Sequence, residues 1–124
     1  MNMRRRPAHP YPRTARLSAL VHEILADELE RIDDERLLLV TIMSVVVEPD
    51  LRHATVFVDT PEGADRDAEV IEALEEMRIR LQAAVAKQAR MKRTPLLAFK
   101  PDTVEREAGR VEDVLRDLDV EPDA

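Results

Sequence analysis

The chain has 124 residues, one domain's worth, with 44% hydrophobic and 36% charged side chains and a formal net charge of −7. A chain of this size buries roughly two-thirds of the surface its unfolded form exposes and needs no covalent staples; with no cysteine, disulfides, thiolate zinc sites and thiol nucleophiles are excluded together. No run reaches the ~18 apolar residues of a membrane span, and Arg4-Arg5-Arg6 leads into Pro7 instead of an apolar stretch, so no secretory signal is expected and a reducing cytoplasm suits the chain.

Residues 1–13, with Pro7, Pro10, Pro12 and the arginine triplet, read as a flexible basic tail. From Thr14, a candidate N-cap, Leu17, Leu20, Val21, Ile24, Leu25, Glu28 and Ile32 follow the i, i+3, i+4, i+7 spacing of one helix face. Asp33-Asp34-Glu35 end that helix. Leu37 to Val47 is almost wholly apolar and rich in β-branched residues, which predicts a largely buried strand stopped at Glu48-Pro49-Asp50. Ala54 to Thr60 alternates as a second strand, and the short connection predicts an antiparallel hairpin.

Pro61 to Asp65 is a turn in which Gly63 supplies freedom in φ. Arg66 to Lys92 reads as a long helix with Val70, Leu74, Met77, Leu81, Ala84, Val85 and Gln88 on its apolar side. Helices of that length are rare in small domains, so a kink is expected although no Pro or Gly marks it. Thr94-Pro95 ends it, and Leu96 to Lys100 is a third strand, which a helical crossover allows to lie parallel to a neighbour. Asp102 or Thr103 caps a last helix with Val104, Ala108, Val111, Val114 or Leu115, and Leu118 as its stripe; residues 119–124 read as a frayed acidic tail. The order α-β-β-α(kinked)-β-α makes residues 14–118 one α+β domain, with helices packed on a three-stranded sheet.

Two glycines, Gly63 and Gly109, leave no glycine-rich phosphate loop, and three aromatics, Tyr11, Phe57 and Phe99, are too few for a base-stacking sheet or an OB-fold. His9, His22 and His53 have no metal-ligand spacing. Ser18 and Ser44 lack a nucleophile-elbow context, and acid pairs such as Asp33-Asp34 read as helix-end charges. No enzyme, cofactor or metal site is expected.

The charge is unevenly placed. Residues 1–16 hold five arginines and no acid, and residues 73–93 hold six basic and two acidic side chains, within an otherwise acidic chain. Advancing about 100° per residue from Leu81 puts Arg80, Lys87 and Arg90 on one exposed flank, which Lys92 and Arg93 extend. Cations at a helix C-terminus also suit its dipole with no ligand at all, so two readings stand: dipole capping, or a basic groove for a phosphate backbone. Without aromatic interleaving such a groove would touch phosphate and sugar more than bases. The acidic blocks at 23–35, 62–72 and 112–123 support a rival, a protein-interaction adaptor that docks a basic partner.

Several segments resemble the ribosome-binding factor A family. They are Arg16-Leu17-Ser18 with Glu23-Ile24-Leu25, Val40-Thr41-Ile42, the run Glu48-Pro49-Asp50-Leu51-Arg52-His53-Ala54-Thr55-Val56-Phe57-Val58, and Arg90-Met91-Lys92-Arg93-Thr94-Pro95-Leu96-Leu97-Ala98-Phe99-Lys100-Pro101-Asp102. The resemblance implies a KH-like domain of the second type without the glycine loop. It implies a cytoplasmic, non-catalytic factor that binds 30S ribosomal subunit precursors and 16S rRNA late in assembly, with no membrane or small-molecule substrate; a monomer suits the size. Carried over position by position, Arg52, Lys87, Arg90, Lys92 and Arg93 match family basic positions. Arg4, Arg5, Arg6 and Arg13 match in composition, and Arg80 joins the candidate RNA-binding set from the helical wheel. The family usually kinks its long helix at an Ala-x-Gly or Ala-Ala-Gly triplet; Met77, Arg78 and Ile79 stand there in this sequence.

Overall fold

The computed structural model describes residues 13–60 and 63–103. Helix α1 (Arg13–Leu29) is followed by a single 3-10 turn (Glu35–Leu37), strands β1 (Thr41–Val47) and β2 (His53–Asp59), helices α2 (Ala64–Glu76) and α3 (Arg78–Gln88), and strand β3 (Leu96–Pro101). Of the basic tail expected over residues 1–13, Arg13 belongs to α1 and the rest lies outside the described residues, as do the last helix beyond Thr103 and the acidic tail.

The sheet order is β1-β2-β3, with β1–β2 antiparallel and β2–β3 parallel. Val56, central on the middle strand, faces Val45 on one side and Phe99 on the other, and Val56, Val58 and Leu97 are almost fully buried beneath the helices. Val21, Ile24 and Leu25 of α1, Val70, Ala73 and Leu74 of α2, and Leu81 and Val85 of α3 complete one core. Helix α1 lies along the edge strand and satisfies part of it. The Ser18 hydroxyl accepts from the Val47 N–H at 2.8 Å while donating to the Thr14 carbonyl, and His22 Nε2 bonds the Ile42 carbonyl at 2.9 Å. At the other edge the Leu97 N–H donates to the Gln82 side chain at 3.1 Å.

The long helix breaks at Met77, which closes α2 and opens α3 with φ −93° and ψ 3°. That conformation has negative φ and is open to any residue, so the break needs no glycine. The Met77 N–H still reaches the Ala73 and Leu74 carbonyls, and its own carbonyl accepts from Leu81 at 2.9 Å, so the break leaves no orphaned backbone group at Met77.

Several expectations are corrected. Thr14 sits inside the first turn of α1 and is not its cap, and Leu20 is half-exposed at the rim of the stripe. Helix α1 stops at Leu29, so Ile32 packs on the core from the connection that follows. Leu37 to Val40 is not strand. Asp34 accepts from the Arg36 N–H and starts the 3-10 turn, after which Leu38 and Leu39 stand out in solvent. Along β1 itself Val46 is exposed. A continuous apolar run does not reveal which residues face inward, so composition alone predicts a strand that is too long and too buried. Gln88 is exposed as well.

Candidate nucleic-acid interface

Three stretches distant in sequence converge at the end of the sheet where β2 and β3 begin. The first turns of α1 bring Arg13 and Leu17, the β1–β2 connection brings Asp50, Leu51 and Arg52, and the segment after α3 brings Ala89 to Arg93; they line a concavity of about 390 Å³. Leu17, Leu51 and Met91 are half-buried against the core and form its floor. Arg13, Arg52, Arg90, Lys92 and Arg93 are exposed around it, and none of them pairs with a carboxylate among the described residues.

Local backbone geometry makes the convergence possible. The β1–β2 connection is tied by Leu51 N–H to the Glu48 carbonyl and Arg52 N–H to Asp50 Oδ1, both 2.8 Å, and Leu51 takes φ 60°. Helix α3 closes with the Ala89 N–H on the Val85 carbonyl at 2.8 Å, and Arg90 then turns the chain with φ 53°. That post-helical position normally takes glycine, because an L side chain is strained there. Two of the described non-glycine residues with positive φ therefore border the same concavity, the third being Leu39.

Among the described residues, Asp50 is the one carboxylate in the lining. The backbone N–H of Arg52 and then the His53 ring, whose Nδ1 lies 2.9 Å away, hold it below the usual carboxylate range. It is engaged within its own turn and leaves the surrounding guanidinium groups free.

Dipole capping explains only part of this arrangement. Lys87 in the last turn of α3 suits the negative end of that helix. Arg13 does the reverse: it sits at the positive end of α1, whose first turn holds no acid, and Arg52 belongs to no helix. Five cations with no carboxylate partner among the described residues, assembled partly against the helix dipole, concentrate positive potential at this end of the sheet.

The candidate residues thus divide. Arg13, Arg52, Arg90, Lys92 and Arg93 come together; Lys87 is exposed on α3 outside the concavity lining; Arg4, Arg5 and Arg6 lie outside the described residues. Arg80 is a correction. Its Nε donates to Glu28 at 2.8 Å and its terminal nitrogen to the Arg31 carbonyl at 3.3 Å, so it clamps α3 to α1 and does not join the cluster. Arg80, with Arg31, holds the Glu28 carboxyl below its ordinary range. A helical wheel gives an angle but not the acid that a different helix brings to it. Sequence reasoning missed the leucine and methionine floor, whose signal was limited to apolar residues interleaved with the basic ones at Leu51 and Met91. Among the described residues no group of three or more His, Asp or Glu side chains could hold a metal, and no helix is long and apolar enough to cross a membrane.

The antiparallel hairpin, the parallel third strand and the helix broken at Met77 define a mixed α+β domain of three helices packed on a three-stranded sheet. The model of the ribosome-binding factor A family matches residues 13–115. The Rubrobacter xylanophilus ribosome-binding factor A is 42% identical over 107 residues, covering 86% of this chain and 87% of the relative. The crystal structure of ribosome-binding factor A from Thermus thermophilus superposes with a TM-score of 0.65 at 33% identity, over 71% of this chain and 94% of that one. Thermus thermophilus coordinates fitted into the cryo-EM map of a 30S–RbfA complex superpose with a TM-score of 0.56 at 35% identity, over 68% and 90% of the two chains. The chain belongs to the ribosome-binding factor A family.

Proposed function

We propose that the protein is a non-catalytic assembly factor that binds precursors of the 30S ribosomal subunit and assists late maturation and processing of 16S rRNA. It works in the cytoplasm as a monomer and without a cofactor. The observation that carries this reading is the assembly of Arg13, Arg52, Arg90, Lys92 and Arg93 around one concavity at one end of a molecule that is acidic overall. The Thermus thermophilus relative fitted into a 30S complex supports the choice of partner. Phosphate contacts provide attraction, and the shape of the concavity selects an irregular stretch of rRNA over a plain duplex. Arg4, Arg5 and Arg6 add phosphate contacts from the tail, and Lys87 flanks the site.

The test is sucrose-gradient sedimentation of the full chain with small-subunit precursors at two salt concentrations. The R52E/R90E/R93E variant should leave the subunit fraction at both salts while keeping the wild-type melting temperature, and K87E alone should move much less. Co-sedimentation of the triple variant at wild-type levels would overturn the assignment of the site.

A further inference from the structure

The opposite end of the molecule carries a second concavity, of about 720 Å³, between the last turn of α1, the 3-10 turn and the start of β1. At its lip Leu38 and Leu39 are 71% and 72% exposed, the former at the end of the 3-10 turn and the latter with φ 68°. A single exposed leucine is ordinary. Two adjacent ones, one held in a backbone conformation that glycine would occupy with less strain, place apolar surface in water at the expense of the fold. The same concavity is lined by Glu30, Asp33 and Glu35, which make no ion pair among the described residues, whereas Asp34 is committed to Arg36.

We propose that this acidic, leucine-tipped lip docks a basic protein segment that carries an apolar anchor: a Lys/Arg-rich stretch of a ribosomal protein on the small subunit. The proposal rests on the rRNA-binding reading above and adds a second, protein-directed contact at the far pole. Charge selects this occupant. Residues 104–124 of the chain hold eight acids against three arginines and are repelled by the rim, as is any nucleic-acid strand. A second copy brings its own acidic surface along with its cations. A basic segment is attracted by the three carboxylates, and an apolar side chain between them covers Leu38 and Leu39. With cations on rRNA at one pole and carboxylates toward protein at the other, the charge distribution also fixes which way round the factor sits.

The test uses L38S/L39G in the full chain. Glycine suits φ 68°, so the melting temperature should hold or rise. Affinity for naked 16S rRNA should stay within about twofold of wild type, and affinity for precursor particles bearing their ribosomal proteins should fall about tenfold or more, as loss of a central apolar anchor does. In parallel, Leu38→p-benzoylphenylalanine in the otherwise native chain, photolysed on precursor particles, should cross-link to one ribosomal protein. Particle affinity equal to wild type overturns the proposal, as does a cross-link to rRNA, to a second copy, or to residues 104–124 of the same chain. A wild type that fails to bind particles removes the rRNA reading and this one with it, whereas a binding wild type matched by the variant removes only the lip.

Discussion

Arg90 gives the sharpest test, because its backbone and its side chain make opposite predictions. With φ 53° it occupies the left-handed position just after α3, where a non-glycine residue is destabilised by roughly 1–2 kcal/mol. Arg90→Gly relieves that strain, and the greater unfolded-state freedom of glycine takes back about 0.5–1 kcal/mol. The net expectation is a gain of about 0–1.5 kcal/mol, a rise in melting temperature of roughly 0–9 °C. Binding should move the other way. Five cations on a phosphate backbone give a logarithmic salt slope of about −3.5 on single strands to −4.5 on duplex, so raising salt from about 50 to 200 mM weakens affinity on the order of 100- to 500-fold. Removing one contact flattens that ratio by about threefold. Thermal unfolding and filter binding to 16S rRNA across that salt range measure both effects, with Arg90→Lys as the variant that keeps the charge and the strain. An Arg90→Gly protein that is less stable than wild type, or one whose salt slope matches that of Arg90→Lys, would refute the assignment.

The other expectations concern the scaffold. Met77→Gly should destabilise by about 0.5–1 kcal/mol in chemical unfolding, because the helix break has φ −93° and gains nothing from glycine. Leu74→Ala, which empties a site 1% exposed between α2 and the sheet, should cost about 2–5 kcal/mol by the same measurement. Arg36 bonds Asp34 and Glu76 at 2.7 Å each and holds both carboxyls below their ordinary values. Carboxyls with depressed folded-state pKa values stabilise the fold above the ordinary range near ~4 and lose that contribution as pH falls through the folded values. Melting temperature should therefore drop below about pH 4, and Arg36→Met should make that acid limb shallower.

How much of this was legible in the sequence depended on whether the signal was local. Val21, Ile24 and Leu25 repeat at helical spacing, and Val56 and Val58 alternate, so the elements that bury them could be read directly. The apolar run at Leu37–Val40 has the composition of a strand, yet the Asp34 side chain captures the Arg36 N–H and diverts the chain into a 3-10 turn. The helix break is carried by a single residue in an ordinary region of backbone space, so its position has no compositional mark. The cluster was legible only where its members are neighbours in sequence. Arg90, Lys92 and Arg93 stand together, whereas Arg52 entered through family resemblance and Arg13 through composition. Arg80 was misplaced because its partner Glu28 is 52 residues away.

Net charge was the least informative number of all. Beyond a Debye length of about 8–10 Å at physiological salt, a polyanion barely senses carboxylates at the far end of the molecule. What it meets is set by the chain's topology: the β1–β2 connection, the start of α1 and the exit from α3 all fall at one end of a three-stranded sheet because β2 and β3 run parallel. An antiparallel third strand would have begun at the other end, carrying Arg90, Lys92 and Arg93 to the acidic pole beside Glu30 and Asp33. The crossover through α2 and α3 is therefore the feature that gathers basic residues distant in sequence around one concavity, while Glu30, Asp33 and Glu35 line the concavity at the other end.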